Sequence, residues 1–270
     1  MKNIDCGDFE LVRKLVYRQS AIALDRDMKY LVESRLSSLA RKTSFSDIHV
    51  LLAALRKGRD AELEGRVVEA MTTNETSFFR DSHPFETLCN ELLPSIAQRH
   101  SDTINIWCAA CSTGQEPYTI AMAIYERCPE LVPRISIFAS DLSSEVVAKA
   151  DSGRYNKLEV NRGLPIQYLT KYFVQNGLAW QVTPKIRDLV RFDTLNLIGD
   201  WGGLQSMDVV FLRNVLIYFD PEMKTRVLKR TGEILKPGGC LFLGQSETTL
   251  NLKTDYQRVT TDRSHYYKLS

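Results

Sequence analysis

The sequence has no apolar run that approaches the ~18 residues needed to span a membrane. Its start, MKNIDCGDFE, is charged throughout and does not resemble a signal peptide. The net charge is only +2, which gives no case for whole-surface binding to nucleic acid or to an anionic membrane. Six cysteines scattered over 270 residues favour reduced thiols over a disulfide framework. We therefore expect a cytoplasmic protein that neither binds nucleic acid nor inserts into a membrane.

Several enzyme motifs are also missing. The chain has no GxSxG and no GxxxxGK[ST], so hydrolase and NTPase functions lack their residues. The NPPY-type tetrad of amino-methylating nucleic-acid enzymes and the Pro-Cys nucleophile of base methylation are absent too. Only four histidines are present, none in a metal-like cluster. Cys108 and Cys111 form a lone CxxC, which we interpret as two small buried residues in preference to a metal or redox site.

What is present begins with helical patterns up to about residue 70. The segment DRDMKYLVESRLSSLARK has apolar residues at the i, i+3, i+4 spacing of an amphipathic helix. The next segment, SDIHVLLAALRKG, opens with a Ser/Asp cap signal and closes with Lys57-Gly58. The pattern predicts an all-α N-terminal domain over residues 1–72, with a linker to about residue 85.

Beyond residue 100, short apolar runs alternate with helical segments. The runs INIWCAA, ISIFASD, MDVVFLRNVLIYF and GGCLFLGQ predict strands of a parallel α/β sheet in a domain over residues 73–270. Asn176-Gly177 in FVQNGLAWQV is a hairpin signal, which predicts a small antiparallel insertion at about residues 160–192. LVRFDTL could be a third strand of the insertion or return the chain to the main sheet.

A ligand site is indicated where the first two predicted strands end. The loop in IWCAACSTGQEPYTIAMAI contains Gly114 and leads into a helix that starts near Glu116, which would repel a pyrophosphate but suit an ammonium group. Asp141 ends the next strand, where an acid can bind a ribose diol. Alternatively, Glu116 is a helix-start acid and Asp141 caps the helix that begins at Ser143. Together they favour a nucleoside-type ligand without phosphates, such as S-adenosylmethionine.

Two further segments allow a structural or a functional interpretation. Arg213 and Asn214 interrupt the apolar stretch VVFLRNVLIYFD, either as a structural pair or at a cofactor cleft with Tyr218 close by. MTTNETSFFR is either a capped helix start with two aromatic anchors or a stretch whose polar groups face a ligand.

These segments together resemble the CheR-type chemotaxis receptor methyltransferases. The resemblance runs in order through SRLSSLARK, MTTNETSFFRD, AACSTGQEPYTIAM, ASDLSSEVVAKADSGRY, FLRNVLIYFD and LKPGGCLFLGQSE. It implies a class I (Rossmann-like) S-adenosylmethionine-dependent methyltransferase sheet with a small antiparallel β insertion, preceded by an all-α N-terminal domain.

The resemblance also implies roles for individual residues. Those expected to bind the cofactor are Asn74, Thr76, Arg80, Glu116, Asp141, Asn196, Leu197, Arg213 and Asn214. Arg80 and Tyr218 are expected nearest the transferring methyl group and are the candidate catalytic residues. Arg35, Arg41 and Lys42 are the candidate substrate-docking residues, on a helix that is either a basic docking surface or an ordinary solvated face. No metal is implied.

The implied reaction moves methyl from S-adenosylmethionine to glutamate side chains on the cytoplasmic helical bundle of methyl-accepting chemotaxis receptors, and yields S-adenosylhomocysteine. Some family members tether a receptor C-terminal pentapeptide with a longer Gly-rich loop in the insertion. FVQNGLAW is short and lacks that run, so we expect a tether-independent enzyme, and a monomer. The alternatives are a methyltransferase of another acidic acceptor and a non-catalytic binding module.

Overall fold

The computed structural model describes residues 4–270, which form two compact units. The smaller unit contains the residues up to Thr73 together with Tyr218–Met223, and the larger unit contains Asn74–Ile217 and Lys224–Ser270. Among the residues described, no helix is both long enough and apolar enough to cross a membrane.

The smaller unit is helical, as the sequence patterns predict. Its helices are α1 (Cys6–Ser20), a 3₁₀ turn (Arg26–Met28), α2 (Lys29–Lys42), α3 (Ile48–Arg56) and α4 (Ala61–Met71). Three of them begin at aspartates whose side chains accept backbone N–H bonds of the first turn, namely Asp5, Asp47 and Asp60. Apolar faces of these helices form the core of the unit, with Val12, Val32, Leu36, Leu51 and Val67 all fully buried.

The larger unit contains a seven-stranded sheet in the order β6-β2-β1-β7-β8-β10-β9. Its strands are β1 (Ile104–Ala109), β2 (Ile135–Asp141), β6 (Val190–Thr194), β7 (Met207–Leu212), β8 (Leu235–Leu243), β9 (Tyr256–Thr260) and β10 (His265–Leu269). The first five of these pair in parallel, whereas β10 pairs antiparallel with both β8 and β9. Strand order reverses at β1, so the loops that follow β1 and β7 leave the sheet at a topological switch point, where ligands of open α/β sheets bind.

Helices and helical turns of other types precede or connect these strands. They are α5 (His83–Thr87), a π-helical turn (Leu88–Leu92), α6 (Leu93–Arg99), α7 (Gln115–Arg127), a 3₁₀ turn (Pro129–Arg134), α8 (Ser144–Ser152), α9 (Lys157–Asn161), α10 (Ile166–Tyr172), α11 (Pro184–Arg187), a 3₁₀ turn (Leu216–Tyr218) and α12 (Pro221–Ile234).

The inserted antiparallel sheet has three strands in the order β3-β5-β4. They are β3 (Arg154–Asn156), β4 (Phe173–Asn176) and β5 (Ala179–Val182). The hairpin is present, and because Asn176 pairs with Ala179 its loop consists of Gly177 and Leu178. The first strand of this sheet, β3, begins at Arg154, before the insertion's predicted start near residue 160. The segment LVRFDTL returns the chain to the main sheet as β6, which pairs in parallel with β2.

Candidate active site

The loop between β1 and α7 has a strained backbone. Ala110, Ser112 and Gly114 have φ angles of 59°, 51° and 91°, all in the left-handed region. A residue other than glycine in that region costs of order 1–3 kcal/mol, so the conformation persists only where the surroundings fix it. Two of the three residues lack the freedom of glycine, so the loop depends on its neighbours.

Hydrogen bonds to β2 and to Asn74 anchor this loop. The Cys111 N–H donates to the Ser140 carbonyl in β2 over 2.9 Å. The Ser112 N–H donates to Asp141 Oδ2 over 2.8 Å, and the Ser112 hydroxyl donates to the Asn74 carbonyl over 2.9 Å. Asn74 and Asp141, two of the residues that the resemblance assigns to the cofactor, therefore both bind the same loop residue, Ser112.

Asp141 is buried and both of its carboxylate oxygens face backbone amides. Oδ2 accepts from Ser112, and Oδ1 accepts from the Ser143 N–H over 3.1 Å. Ser143, not Asp141, is the N-cap of α8, because its hydroxyl accepts from the Val146 N–H. A carboxylate oxygen can accept a second hydrogen bond, so this arrangement is compatible with a diol ligand.

Glu116 in the first turn of α7 is paired with Arg213, which follows β7. Arg213 Nη1 donates to Glu116 Oε2 over 2.7 Å, and the two side chains are 2% and 15% exposed. The other terminal nitrogen, Nη2, donates to the Arg80 carbonyl and to Asp81 Oδ2 at 3.0 and 2.9 Å. Arg213 thus joins the helix start, the end of β7 and the turn at residues 80–81.

Burial raises the pKa of Glu116 above the ordinary glutamate value, while Arg213 and Arg80 oppose this effect and Glu247 adds to it. The salt bridge nonetheless favours the ionised carboxylate. Within residues 4–270, Glu116 Oε1 has no hydrogen-bond partner, and neither has the buried Nε of Arg213. The free acceptor Oε1 matches the ammonium of an amino acid, whereas the Arg213 Nε is closed off from solvent.

The segment MTTNETSFFR does not start a helix. Helix α4 ends at Met71, and the chain then remains irregular until α5 begins at His83. Phe79 and Asp81 have φ angles of 50° and 51°, which break a right-handed helix at this point. The interpretation of this stretch as a capped helix start is therefore wrong.

The two phenylalanines of that segment are anchors, as the aromatic interpretation expected. Phe78 is fully buried, and its ring makes edge contacts with Tyr155 at 5.0 Å and Phe173 at 5.6 Å. The Phe79 ring lies 4.6 Å from that of Tyr168, and its N–H donates to Thr119 Oγ1 over 3.1 Å. All of these partners belong to the insertion or to the body of the larger unit.

The polar residues of the segment lie close to these anchors. Asn74 is exposed, whereas Thr76 and Arg80 are partly buried. Arg80 Nη1 donates to the Glu75 carbonyl over 3.3 Å, and Arg162 Nη2 donates to the Glu75 side chain over 2.6 Å. The guanidinium of Arg80 also lowers the pKa of Glu116, which places it in the electrostatic environment of the ion pair.

Asn196 and Leu197 follow β6 and lie in a compact turn. The Ile198 N–H donates to Asn196 Oδ1 over 3.1 Å, and Trp201 Nε1 donates to the Asn196 carbonyl over 3.3 Å. Leu197 is buried, and its carbonyl accepts from Arg230 over 3.1 Å. These contacts fix the turn at the carboxyl end of β6.

Sequence reasoning missed Glu247, a buried carboxylate beyond the end of β8. Its Oε2 accepts from the N–H groups of Asn214 and Gly244, both at 2.7 Å, and its Oε1 accepts from the Ile217 N–H at 3.3 Å. Asn214 has a left-handed φ of 59°, and one of its backbone groups is held by this acid. The only local signal is an acid shortly after a strand, in GQSE, and that does not reveal backbone partners.

In the smaller unit, the carbonyl of Tyr218 accepts from the Ala23 N–H over 3.0 Å. Arg35 donates to the Thr72 carbonyl over 2.8 Å and to Thr73 Oγ1 over 3.0 Å, beyond the end of α4. Burial lowers the pKa of Arg35. Both terminal nitrogens of Arg35 thus form hydrogen bonds within its own unit.

Arg41 and Lys42, by contrast, form the last turn of α2 and are exposed. Of the three candidate docking residues, these two are solvent-exposed, whereas Arg35 is partly buried.

The CxxC cysteines are both buried. Cys108 lies in β1 and Cys111 lies in the following loop, and burial raises the pKa of both thiols well above the usual value. Within residues 4–270, no group of three or more His, Cys, Asp or Glu residues could hold a metal ion.

Two family models match the chain in succession. The CheR methyltransferase all-alpha domain matches residues 7–72, and the CheR methyltransferase SAM binding domain matches residues 74–265.

Similar proteins extend over almost the whole chain. A chemotaxis protein methyltransferase 1 from Pseudomonas aeruginosa is 41% identical over 268 residues, which covers 97% of this chain and 97% of that protein. A chemotaxis protein methyltransferase from Vibrio parahaemolyticus is 41% identical, covering 93% and 92%. A chemotaxis protein methyltransferase 1 from Vibrio cholerae is 40% identical, with the same coverage of 93% and 92%.

Proposed function

The chain belongs to the CheR methyltransferase family, and we propose that it methylates glutamate side chains of chemoreceptors with S-adenosylmethionine as donor. Membership of the family establishes S-adenosylmethionine-dependent methylation in chemotaxis as the activity. The proposal adds the acceptor group, the site residues and the mode of receptor recognition.

The ion pair between Glu116 and Arg213 carries the proposal for the site. Its Oε1, which has no partner among the described residues, complements the ammonium of the methionine moiety. Asp141, one backbone hydrogen bond away across Ser112, suits the ribose. We assign adenine and the remaining contacts to the turn of Asn196 and Leu197 and to the segment from Asn74 to Arg80, following the family resemblance. Asn214 completes the set.

S-adenosylmethionine supplies a methyl group on a positively charged sulfur. In the transfer, the carbon–sulfur bond breaks as a carbon–oxygen bond forms, the sulfur keeps the electron pair, and S-adenosylhomocysteine and a glutamate methyl ester result. A glutamate carboxylate has a reference pKa near ~4.3 and is ionised at neutral pH, so the chain needs no general base. Its contribution is to hold two reactants in line, which can supply about 7–11 kcal/mol.

Arg80 and Tyr218 are proposed to orient the acceptor carboxylate. A guanidinium and a phenol can both donate hydrogen bonds to carboxylate oxygen. Too tight a pairing would lower the nucleophilicity of that oxygen, so orientation and not neutralisation is the role that fits. Arg80 suits an orienting role in part because one of its nitrogens already donates to the Glu75 carbonyl, which limits how tightly it can pair with the acceptor.

Arg41 and Lys42 are proposed to dock the acidic methylation region of the receptor helices. They are exposed in the last turn of α2. Arg35 contributes to this face chiefly by holding the end of α4, since its nitrogens bind Thr72 and Thr73. Attraction between opposite charges raises the association rate more than the final affinity, so docking should weaken with salt. We propose a monomer acting in the cytoplasm on the cytoplasmic part of the receptor.

Recognition is proposed to be independent of a receptor C-terminal tether. The hairpin between β4 and β5 has a two-residue loop of Gly177 and Leu178, which supports the expectation drawn from the short sequence.

Initial rates of labelled methyl transfer to receptor cytoplasmic fragments with and without their C-terminal tails test the proposal. Equal rates are expected. Label on the tailed fragment alone would retain the enzyme and refute tether independence. Cofactor binding without label on either fragment would favour another acidic acceptor, or a non-catalytic binding module.

A further inference from the structure

A tyrosine of the inserted sheet binds the strained loop between β1 and α7. Tyr155 lies in the middle of β3, is 1% exposed, and donates its hydroxyl to the Thr113 carbonyl over 2.7 Å. Thr113 lies between Ser112 and Gly114, which both have left-handed φ angles, and Gly114 directly precedes α7. The contact therefore reaches the loop at its most constrained point.

The tyrosine also lies directly against the loop backbone. A Cβ placed on Gly114 would be 3.0 Å from the Tyr155 hydroxyl oxygen and 2.8 Å from Ala150 Cβ. The φ of Gly114 is 91°, so this glycine is required both by conformation and by the close approach. Neither neighbour leaves room for the loop to move toward the insertion.

Aromatic packing fixes the direction of the hydroxyl. The Tyr155 ring makes edge contacts with Phe78 at 5.0 Å, Tyr118 at 6.3 Å and Phe173 at 6.4 Å. Because the ring is held on several sides, the hydroxyl cannot follow the loop if the loop relaxes. Tyr155 thus acts on the loop as a fixed support.

The other anchors of the loop come from different elements. Ser140 and Asp141 hold it from β2, and Asn74 holds it from the segment before Phe78. Tyr155 is the anchor that the inserted sheet provides. Since a loop with two non-glycine residues in the left-handed region is expected to relax when an anchor is removed, each anchor contributes to the population of the observed conformation.

We propose that Tyr155 is a positioning residue through which the inserted sheet holds the β1–α7 loop in its cofactor-binding conformation. The inference rests on the proposed function in one respect, namely that this loop binds S-adenosylmethionine. It adds a role for the insertion that is separate from any contact with the receptor.

Tyr155→Phe removes only the hydroxyl and keeps the ring contacts. If the binding-competent loop becomes less populated, the apparent Kd rises by the same factor. We expect the Kd for S-adenosylmethionine, measured by calorimetry, to rise about fivefold, which corresponds to about 1 kcal/mol at 1.4 kcal/mol per tenfold. In turnover assays the effect should fall on the KM for the cofactor and not on kcat.

Tyr172→Phe is the matched control. Tyr172 is equally buried, and its hydroxyl donates to Glu126 Oε1 over 2.6 Å instead of to the loop. The Kd of Tyr172→Phe for the cofactor should equal that of the unmodified protein, even if its Tm changes. An unchanged Kd in Tyr155→Phe, or an equal rise in both variants, would overturn the inference.

Hydrogen exchange of the ligand-free protein gives a second measurement. The Ser112 and Gly114 amides, which bind Asp141 and Cys111, should exchange faster in Tyr155→Phe than in Tyr172→Phe. Equal exchange in the two variants would contradict a positioning role. Both measurements need no methyl acceptor, so a wrong acceptor assignment would leave them unaffected.

Discussion

Glu116→Gln tests the electrostatics of the site most sharply. The change keeps the shape of the side chain and removes the charge that pairs with Arg213 over 2.7 Å. In the proposed complex the same carboxylate accepts from the ammonium of the cofactor through Oε1. We therefore expect weaker binding of every ligand that carries the amino-acid moiety.

The magnitude follows from one charge-assisted hydrogen bond. Such a bond contributes about 1.5–3 kcal/mol, which corresponds to a rise in Kd of about 10- to 100-fold. The position of Glu116, only 15% exposed, favours the upper part of this range because water screens the charge poorly there.

The pH dependence has a definite sign. Burial is the main cause that raises the pKa of Glu116 above its ordinary 4.5. The protonated carboxyl cannot pair with an ammonium group, so affinity is complete well above the raised pKa and falls as pH decreases through it. Glu116→Gln should lack this fall, and the affinities of the two proteins should converge toward low pH.

Calorimetry with two ligands and two variants separates direct from indirect effects. S-adenosylhomocysteine carries the amino-acid moiety and methylthioadenosine does not, so only the first should bind Glu116→Gln more weakly. Asp81→Asn is the matched control, because Asp81 is the other acid bound to Arg213, over 2.9 Å, and asparagine tolerates its left-handed φ of 51°. An equal loss for both ligands, or an equal loss in Asp81→Asn, would refute the direct contact.

Two further predictions concern stability, measured by urea unfolding. Glu247→Ala leaves three backbone N–H groups without their acceptor and should lower the free energy of unfolding by about 2 kcal/mol or more. Glu247→Gln keeps an acceptor oxygen and should lower it less. Equal losses in the two variants would argue against the role of the carboxylate. Gly163→Ala should destabilise by more than about 1 kcal/mol, because its φ is 86° and the added Cβ would lie 2.1 Å from the Phe78 carbonyl oxygen. Gly65→Ala, in open space within α4, should instead stabilise by about 0.5–1 kcal/mol, and a loss there comparable to that of Gly163→Ala would contradict this account.

Much of the fold could be predicted because its signals are local. Helix α3 begins at Asp47, which binds the His49 and Val50 amides, as the Ser/Asp signal indicated. The apolar runs after residue 100 became the strands of the main sheet. β3 was missed because it has only three residues, and its pairing partner β5 lies far along the chain. No short-range pattern encodes such a pairing.

The acids of the candidate site carry signals in the sequence, whereas its backbone conformation does not. Glu116 was singled out because it opens the helix after the first predicted strand and its loop, and Asp141 because it ends the second strand, where ligands of α/β sheets bind. The left-handed φ angles of Ala110 and Ser112 could not be predicted, since neither alanine nor serine signals that conformation locally. The partners of Arg35 were equally hidden, because charge spacing on a helix does not show whether a guanidinium meets solvent or the end of a neighbouring helix.

The most direct test of the central claim is the chemical identity and position of the transferred methyl group. Receptor cytoplasmic fragments would be incubated with labelled S-adenosylmethionine and the protein, and then examined by peptide mass spectrometry and by mild base treatment. The account predicts methyl esters on glutamate side chains that release methanol in base. Label that resists base, or that lies on nitrogen or sulfur of the fragment, would contradict it.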